Sequence, residues 1–395
     1  MLIAVLQELC LGKMTKKITL YLITLISLTT FNFSSSDKDR DAESWTIFRG
    51  NNRLTGRVSY ELKPPLKMQW EYQADSSIKS SPVVSNNKVF FGTGSGELIA
   101  LDSSNGKKLW SFRSTSSIES PPLIYGNDIF FSSMDGYIFS LNIQHRTLNW
   151  KFKAEKQIVG SANFYINQEK KILVAGSYDN NLYAIDINTG KVIWNYQTDN
   201  YVNGTPTIYK DKVIFGGCDN HVHIISALTG KKVQSYDAGT YIACSIAVDK
   251  KIAYFGNYNG VFTALDINKG EVIWKYEDSD MGPFISSASV DDNVVIAGSR
   301  DNNLYCFDKF SGKVKWVFET GDAIDSSPVI SKTNVLSASK DGFIYVIDIN
   351  TGNIIWSYDC CSEINTSPAV TDQGFFIGTD NGKLYHFRFS SKKCG

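Results

Sequence analysis

The chain repeats one short turn eight times, at intervals of about forty residues, and that period constrains its fold more than any other feature. The copies are Ser95-Gly96, Asp135-Gly136, Asp179-Asn180, Asp219-Asn220, Asn259-Gly260, Asp301-Asn302, Asp341-Gly342 and Asn381-Gly382, each between short apolar runs. Pairs of residues that tolerate positive φ suit a type I′ hairpin, so each pair predicts the tip of a β-hairpin. A longer motif follows each of the first seven tips, as in Ala100 to Trp110 (ALDSSNGKKLW), Ala184 to Trp194 (AIDINTGKVIW) and Val346 to Trp356 (VIDINTGNIIW). Its Asp can accept a hydrogen bond from the backbone two residues on, and its Gly can supply a left-handed turn residue. It therefore reads as strand, turn, strand, ending on Trp.

Ahead of each hairpin, small residues run into an apolar stretch, as in Ser80-Ser81-Pro82-Val83-Val84 and Ser326-Ser327-Pro328-Val329-Ile330. Four strands of about five residues with their turns fill a forty-residue unit, the size of a propeller blade. Seven units end at the Trp position, whereas the eighth stops near Phe389 without its last strand. Leu66 to Tyr72 (LKMQWEY) has the sequence of a Trp-bearing last strand with no blade in front of it. Pairing the two ends removes the open edges of the array. The expected fold is all-β: an eight-bladed β-propeller of four-stranded antiparallel blades, closed by the N-terminal strand. On that reading truncation before Trp70 is tolerable and truncation through it is not.

Two repeats break the rule. Arg146 stands where the turn Gly is expected, so this hairpin should change turn type or hold a strained residue; Ser226 and Gln234 replace the Asp and Trp of the fourth copy. The blade bearing Gln234 is expected to be the least well filled.

Forty basic and forty acidic residues cancel, with no basic run outside the extreme N-terminus, so nucleic acid is not an expected partner. Residues 1–36 read as a signal-peptide region whose natural start is Met14, with a basic Met14-Thr15-Lys16-Lys17 and an apolar run from Ile18 to Phe31, short for a membrane span. Residues 37–44 read as a polar linker, 45–389 as one propeller domain, and 390–395 as a tail. No cysteine lies between Leu11 and Glu61 to accept a lipid anchor. The chain is expected to be exported, periplasmic or extracellular, and monomeric.

The pattern apolar-x-Asp-x-x-Thr-Gly-x-x-x-Trp resembles the tryptophan-docking repeat of the pyrroloquinoline quinone (PQQ)-like propellers, the quinoprotein alcohol dehydrogenase-like family. Ser44 to Asn52 (SWTIFRGNN) resembles the lead-in of many members, and the likeness spans about residues 45–389. It implies an inter-blade packing role for Trp70, Trp110, Trp150, Trp194, Trp274, Trp316 and Trp356. The family holds scaffolds of the BamB type and PQQ-dependent dehydrogenases, which need calcium ligands, an Arg near the quinone, a catalytic Asp and long insertions. Here the Trp-to-Trp spacings stay between 40 and 44 residues, with Gln234 in the Trp place of the fourth copy. That favours a non-catalytic scaffold for another envelope protein, with no cofactor expected; PQQ with calcium, or a carbohydrate or cell-surface binding module, are the alternatives. Cys360-Cys361 resembles the vicinal disulfide of some quinoprotein dehydrogenases and is the one candidate cofactor contact, against two unpaired thiols or a loop clasp. His221 and His223, on one face of a strand beside Cys218, form a candidate zinc pair with no further ligand in sequence. No catalytic residue is identified.

Overall fold

The structure is a computed structural model that describes residues 44–278 and 282–389. The signal-peptide region, most of the linker and the C-terminal tail lie outside the described residues. Among the described residues, thirty-two strands form eight separate four-stranded antiparallel sheets. Blade 1 consists of Val83–Ser85, Lys88–Gly92, Glu97–Asp102 and Lys108–Arg113, from the axis outward, and blades 2 to 7 repeat that order through Asp359. Blade 8 takes Ala369–Thr371, Gly374–Gly378 and Lys383–Phe389 from the C-terminal end and Leu66–Gln73 from the N-terminal end.

Closure follows the expected pairing. Leu66 faces Phe389 and Gln73 faces Lys383, with a register shift between Met68 and Trp70. The same bulge lies just before the Trp position in every other blade, as where Ala100 faces Trp110 and Leu101 faces Lys108. A strand that precedes blade 1 in the chain and completes blade 8 thus carries the bulge that aims its indole between blades.

The hairpin tips differ from the expected type I′ turn. Only the second residue of each pair has positive φ (Gly96 +85°, Asn180 +69°, Asn302 +72°), and the amide of Gly96 donates to the carbonyl of Thr93. The tip is a three-residue loop ending on a left-handed residue, which leaves the first place of each pair free to be Asp. Those aspartates then cap their own turns, as where Asp301 Oδ1 accepts from the Asn303 amide.

Neighbouring blades meet through the tryptophans. The indoles of Trp70, Trp150, Trp194, Trp274 and Trp316 lie flat on Gly106, Gly190, Gly230, Gly312 and Gly352 of the following blade, where a Cβ would come within 2.5–2.9 Å of the ring. Each of these indole N–H groups donates to a carbonyl of the same turn, at distances from 2.8 Å (Trp150 to Ile187) to 3.2 Å (Trp194 to Ala227). The turn glycine thus serves its left-handed φ and the flat seat of the indole at once. Gln234 puts its amide on Gly270 in the same way, so the fourth boundary is covered by a smaller group. Trp356 meets blade 8, which has no such turn, and packs against Phe387 at 5.4 Å.

Two further devices bind the blades at the axis. The Ser-Ser-Pro segments form a belt in which an amide donates to the hydroxyl of the next blade, from Ser161 to Thr205, Ser245, Ser287, Ser327, Ser367 and Ser81 in turn. Pro121 takes the blade 2 position and, having neither hydroxyl nor amide hydrogen, interrupts it. The lead-in then runs around the axis along the free inner edges. The amides of Val84, Ile124, Ile208, Val248, Val290 and Ile330 donate to Trp45, Thr46, Asn52, Arg53, Thr55 and Gly56; Asn52 reaches blade 3 through Phe164, and Tyr60 reaches blade 8 through Val370. Ile47, Arg49 and Leu54 are fully buried within this ring.

The lead-in changes one expectation. Because residues 45–60 pair with all eight inner edges, which would otherwise be unpaired strand edges, truncation before Trp70 removes more than a leader. A chain beginning at Lys63 is expected to melt well below one beginning at Ser44, and equal melting temperatures would show that the inner edges do not need it.

The closing seam is also expected to be acid-sensitive. His386 faces Trp70 across the seam, stacks on Phe376 at 4.3 Å, and has no partner for Nδ1. Burial, assisted by the charge of Arg388, pushes its imidazole down to about 4 from 6.5. The unfolded chain therefore binds the proton first, and stability falls as pH drops from about 6.5 towards 4, by at most about 3 kcal/mol. Thermal melts across that window should show the loss, and His386→Phe should flatten it.

Candidate functional site

In an antiparallel blade, the hairpin tips after the second strand and the connections between blades fall on one rim, and the remaining turns on the other. The connection rim carries the candidate site. Tyr178 and Tyr258 belong to the tips of blades 3 and 5, and Tyr201 and Tyr241 to the connections entering blades 4 and 5. Tyr178 stacks on Tyr201 with ring centroids 4.6 Å apart and planes 4° apart, and Tyr241 meets Tyr258 at 4.4 Å. Between the pairs lies Cys218, whose amide donates to the Tyr201 carbonyl. Three of these rings, Tyr201, Tyr241 and Tyr258, are more than a third exposed. Tyr178 donates its hydroxyl to Asn203 Oδ1 at 2.9 Å, and its phenol is raised by burial and by the neighbouring Cys218 and Tyr201.

Further round the same rim, Asp325 accepts a two-toothed bond from Arg300 (2.8 and 2.7 Å) and lies 3.2 Å from Lys340. Burial alone would raise its carboxyl, and these two cations outweigh it and hold the group low. The rim thus presents aromatic rings next to a pinned charged cluster, in a framework of short loops.

The acidic tip residues are committed to their own blades. Asp179, Asp301 and Asp341 each accept from a Tyr hydroxyl four residues on, at 2.8, 2.7 and 2.7 Å. In blade 4 the partner is His223, whose Nε2 lies 2.9 Å from Asp219 Oδ2 while Nδ1 faces the Tyr196 hydroxyl. The candidate zinc pair does share a face, with rings 6.0 Å apart, but His221 Nδ1 is directed to its own turn, at the Asp219 carbonyl. His223 fills the place that Tyr fills in three other blades. Its burial on Phe215 and its hydrogen bonds account for it without a metal.

Cys360 and Cys361 follow the outermost strand of blade 7, on the connection rim but far from the axis, and both are free. Cys360 is buried, which pushes its thiol up to about 12. Cys361 is exposed, in a left-handed conformation (φ +53°) held by its amide bond to Asp359 Oδ1 at 2.7 Å. The remaining requirements of a quinone site are not gathered around them. Among the described residues no group of three or more His, Cys, Asp or Glu is arranged to hold a metal ion, and the axial Arg49 spends its guanidinium on Pro328, Ala288 and Ser289. The residues present do not fit PQQ with calcium. The tyrosine strip escaped sequence reading because its members are spread over eighty residues; the available signal was Tyr at the place just ahead of the tip pair, where other repeats carry Gly, Met, Cys or a charged residue.

The family model described as outer membrane protein assembly factor BamB matches residues 37–164, 159–282 and 259–391. No curated protein matches the sequence. Among solved structures, BamB from Moraxella catarrhalis is similar at 16% identity and TM-score 0.70, over 82% of this chain and 100% of that one. A europium-containing methanol dehydrogenase is similar at 14% identity and TM-score 0.71, over 89% and 99%. The quinohemoprotein alcohol dehydrogenase ADHIIG from Pseudomonas putida HK5 is similar at 11% identity and TM-score 0.75, over 89% and 81%.

The reading of His223 as a stand-in for Tyr has a direct check. His223→Tyr is expected to leave stability within about 1 kcal/mol of the parent, whereas His223→Ala, which strands Asp219, should cost about 2 kcal/mol. Chemical denaturation measures both, and zinc should not shift either midpoint.

Proposed function

The chain belongs to the family described by the outer membrane protein assembly factor BamB, and from that premise we propose that it is an exported, monomeric, non-catalytic scaffold that binds another envelope protein. The observation that carries this reading is the exposed tyrosine strip of blades 3 to 5. Tyr is favoured at protein interfaces because a rigid ring gives large contact area at small entropic cost, with a hydroxyl left to bond. The stacked pairs preorganise those rings before a partner arrives. The narrow spread of repeat lengths supports the same reading.

The second reading, a PQQ-dependent dehydrogenase, draws on the likeness of fold to the two dehydrogenases, and a fold hosts more than one function. One experiment separates the two. Photo-crosslinking residues placed in the native envelope at Tyr201 and Tyr241 are expected to trap one discrete protein partner, and one at Asn105, on the opposite rim, is not. Tyr201→Ala with Tyr241→Ala should weaken capture at least tenfold with the melting temperature unchanged. Dye-linked alcohol oxidation by the purified chain with PQQ and calcium, together with loss of position-specific crosslinking, would replace the scaffold with the enzyme.

A further inference from the structure

The boundary between blades 1 and 2 departs from the others at the axis and at the periphery together. At the axis, Pro121 interrupts the hydroxyl belt, leaving Ser80 Oγ to donate to the Ser120 carbonyl at 2.9 Å. At the opposite rim, Arg146 holds the left-handed position (φ +60°) that Gly holds elsewhere, and its amide still donates to Asn142 at 2.8 Å. The turn is therefore retained, with a strained residue in it. In the glycine seats a Cβ would come within 2.5–2.9 Å of the indole, so a side chain at this place cannot accept the ring in the same way. Trp110 accordingly makes none of the indole-to-carbonyl bonds of its five docked counterparts.

The unmade dock is a cleft of about 390 Å³, at the lower end of the range for small-molecule sites. Its apolar surface includes Trp110 and Phe90, with ring centroids 5.8 Å apart. The lining also includes Asn86, Asn127 and Gln144, which carry side-chain amides, and Arg146. Lys88 adds a second cation, whose ammonium donates to the Asn86 carbonyl at 3.3 Å.

We propose that this cleft binds a saccharide unit carrying a carboxylate. A flat indole face matches the C–H face of a pyranose ring. Side-chain amides both donate and accept, as sugar hydroxyls do, so three of them around one ring can satisfy hydroxyls in either sense. The Arg146 fork offers two parallel N–H donors to a carboxylate. The same substitution that unseats Trp110 thereby supplies the charge that selects the ligand.

The test uses the whole chain, with digalacturonate as probe and galactose and AMP as controls, read by NMR at the indole N–H signals. Digalacturonate is expected to move one indole signal, assigned to Trp110 by its absence in Trp110→Phe, at a concentration at least tenfold below galactose or AMP. Arg146→Gly should restore the glycine seat, raise the melting temperature and weaken digalacturonate binding at least tenfold. No indole shift with digalacturonate, equal binding of the controls, or unchanged binding in Arg146→Gly would overturn the proposal. These readouts report on the rim opposite the tyrosine strip, so they stand or fall apart from the scaffold reading.

Discussion

The seating of an indole on a left-handed glycine is the interaction on which the ring depends. Each blade is a twisted four-stranded sheet, too small to be stable alone, and its stability comes from the faces it buries against two neighbours. A bulge just before each Trp turns the ring toward the next blade, and the absence of a Cβ at the receiving turn lets the ring lie on backbone. Because the contact is so close, one residue alters a whole boundary. Gln234 covers its glycine with an amide, while Arg146 removes the seat and leaves Trp110 beside a cleft.

The axis poses a separate problem, since eight inner strands present their unpaired edges to a common space. Two segments answer it. The serine and threonine belt joins neighbouring blades, and the lead-in pairs with every inner edge in turn. Burying Arg49 there is costly without a carboxylate partner; three neutral acceptors from blades 6 and 7 hold it, and burial lowers it to about 9. The N-terminal segment is thus structural twice, once as the axial ring at residues 45–60 and once as the closing strand of blade 8.

With core and axis accounted for by repeated contacts, the functional features are those that the repeat does not require. Four of the tip aspartates are absorbed by Tyr or His partners within their own blades, and Asp135 by the hydroxyls of Ser133 and Thr115. The exposed tyrosines of blades 3 to 5 have no such duty, and neither do the amides and the cation around Trp110. The proposed protein partner draws on the first set, on the connection rim, and the proposed polar ligand on the second, on the opposite rim.

The chain's own order of residues determined the blade count, the strand order and the closure by Leu66 to Tyr72, because period-two strands and turn residues at a fixed interval are local features that survive without knowledge of contacts. It also marked Arg146 and Gln234 as exceptions. The turn type at the tips was not legible: Asp-Asn and Ser-Gly pairs suit two hairpin geometries, and the ladder bond from Thr93 to Glu97 selects one. His221 and His223 could be placed on one face, but only packing showed that Asp219 and Tyr196 claim His223. The axial path of residues 45–60, the cleft beside Trp110 and the tyrosine strip were decided by tertiary structure alone. Each depends on contacts with or between different blades, brought together by closure of the ring, and the order of residues does not specify those contacts.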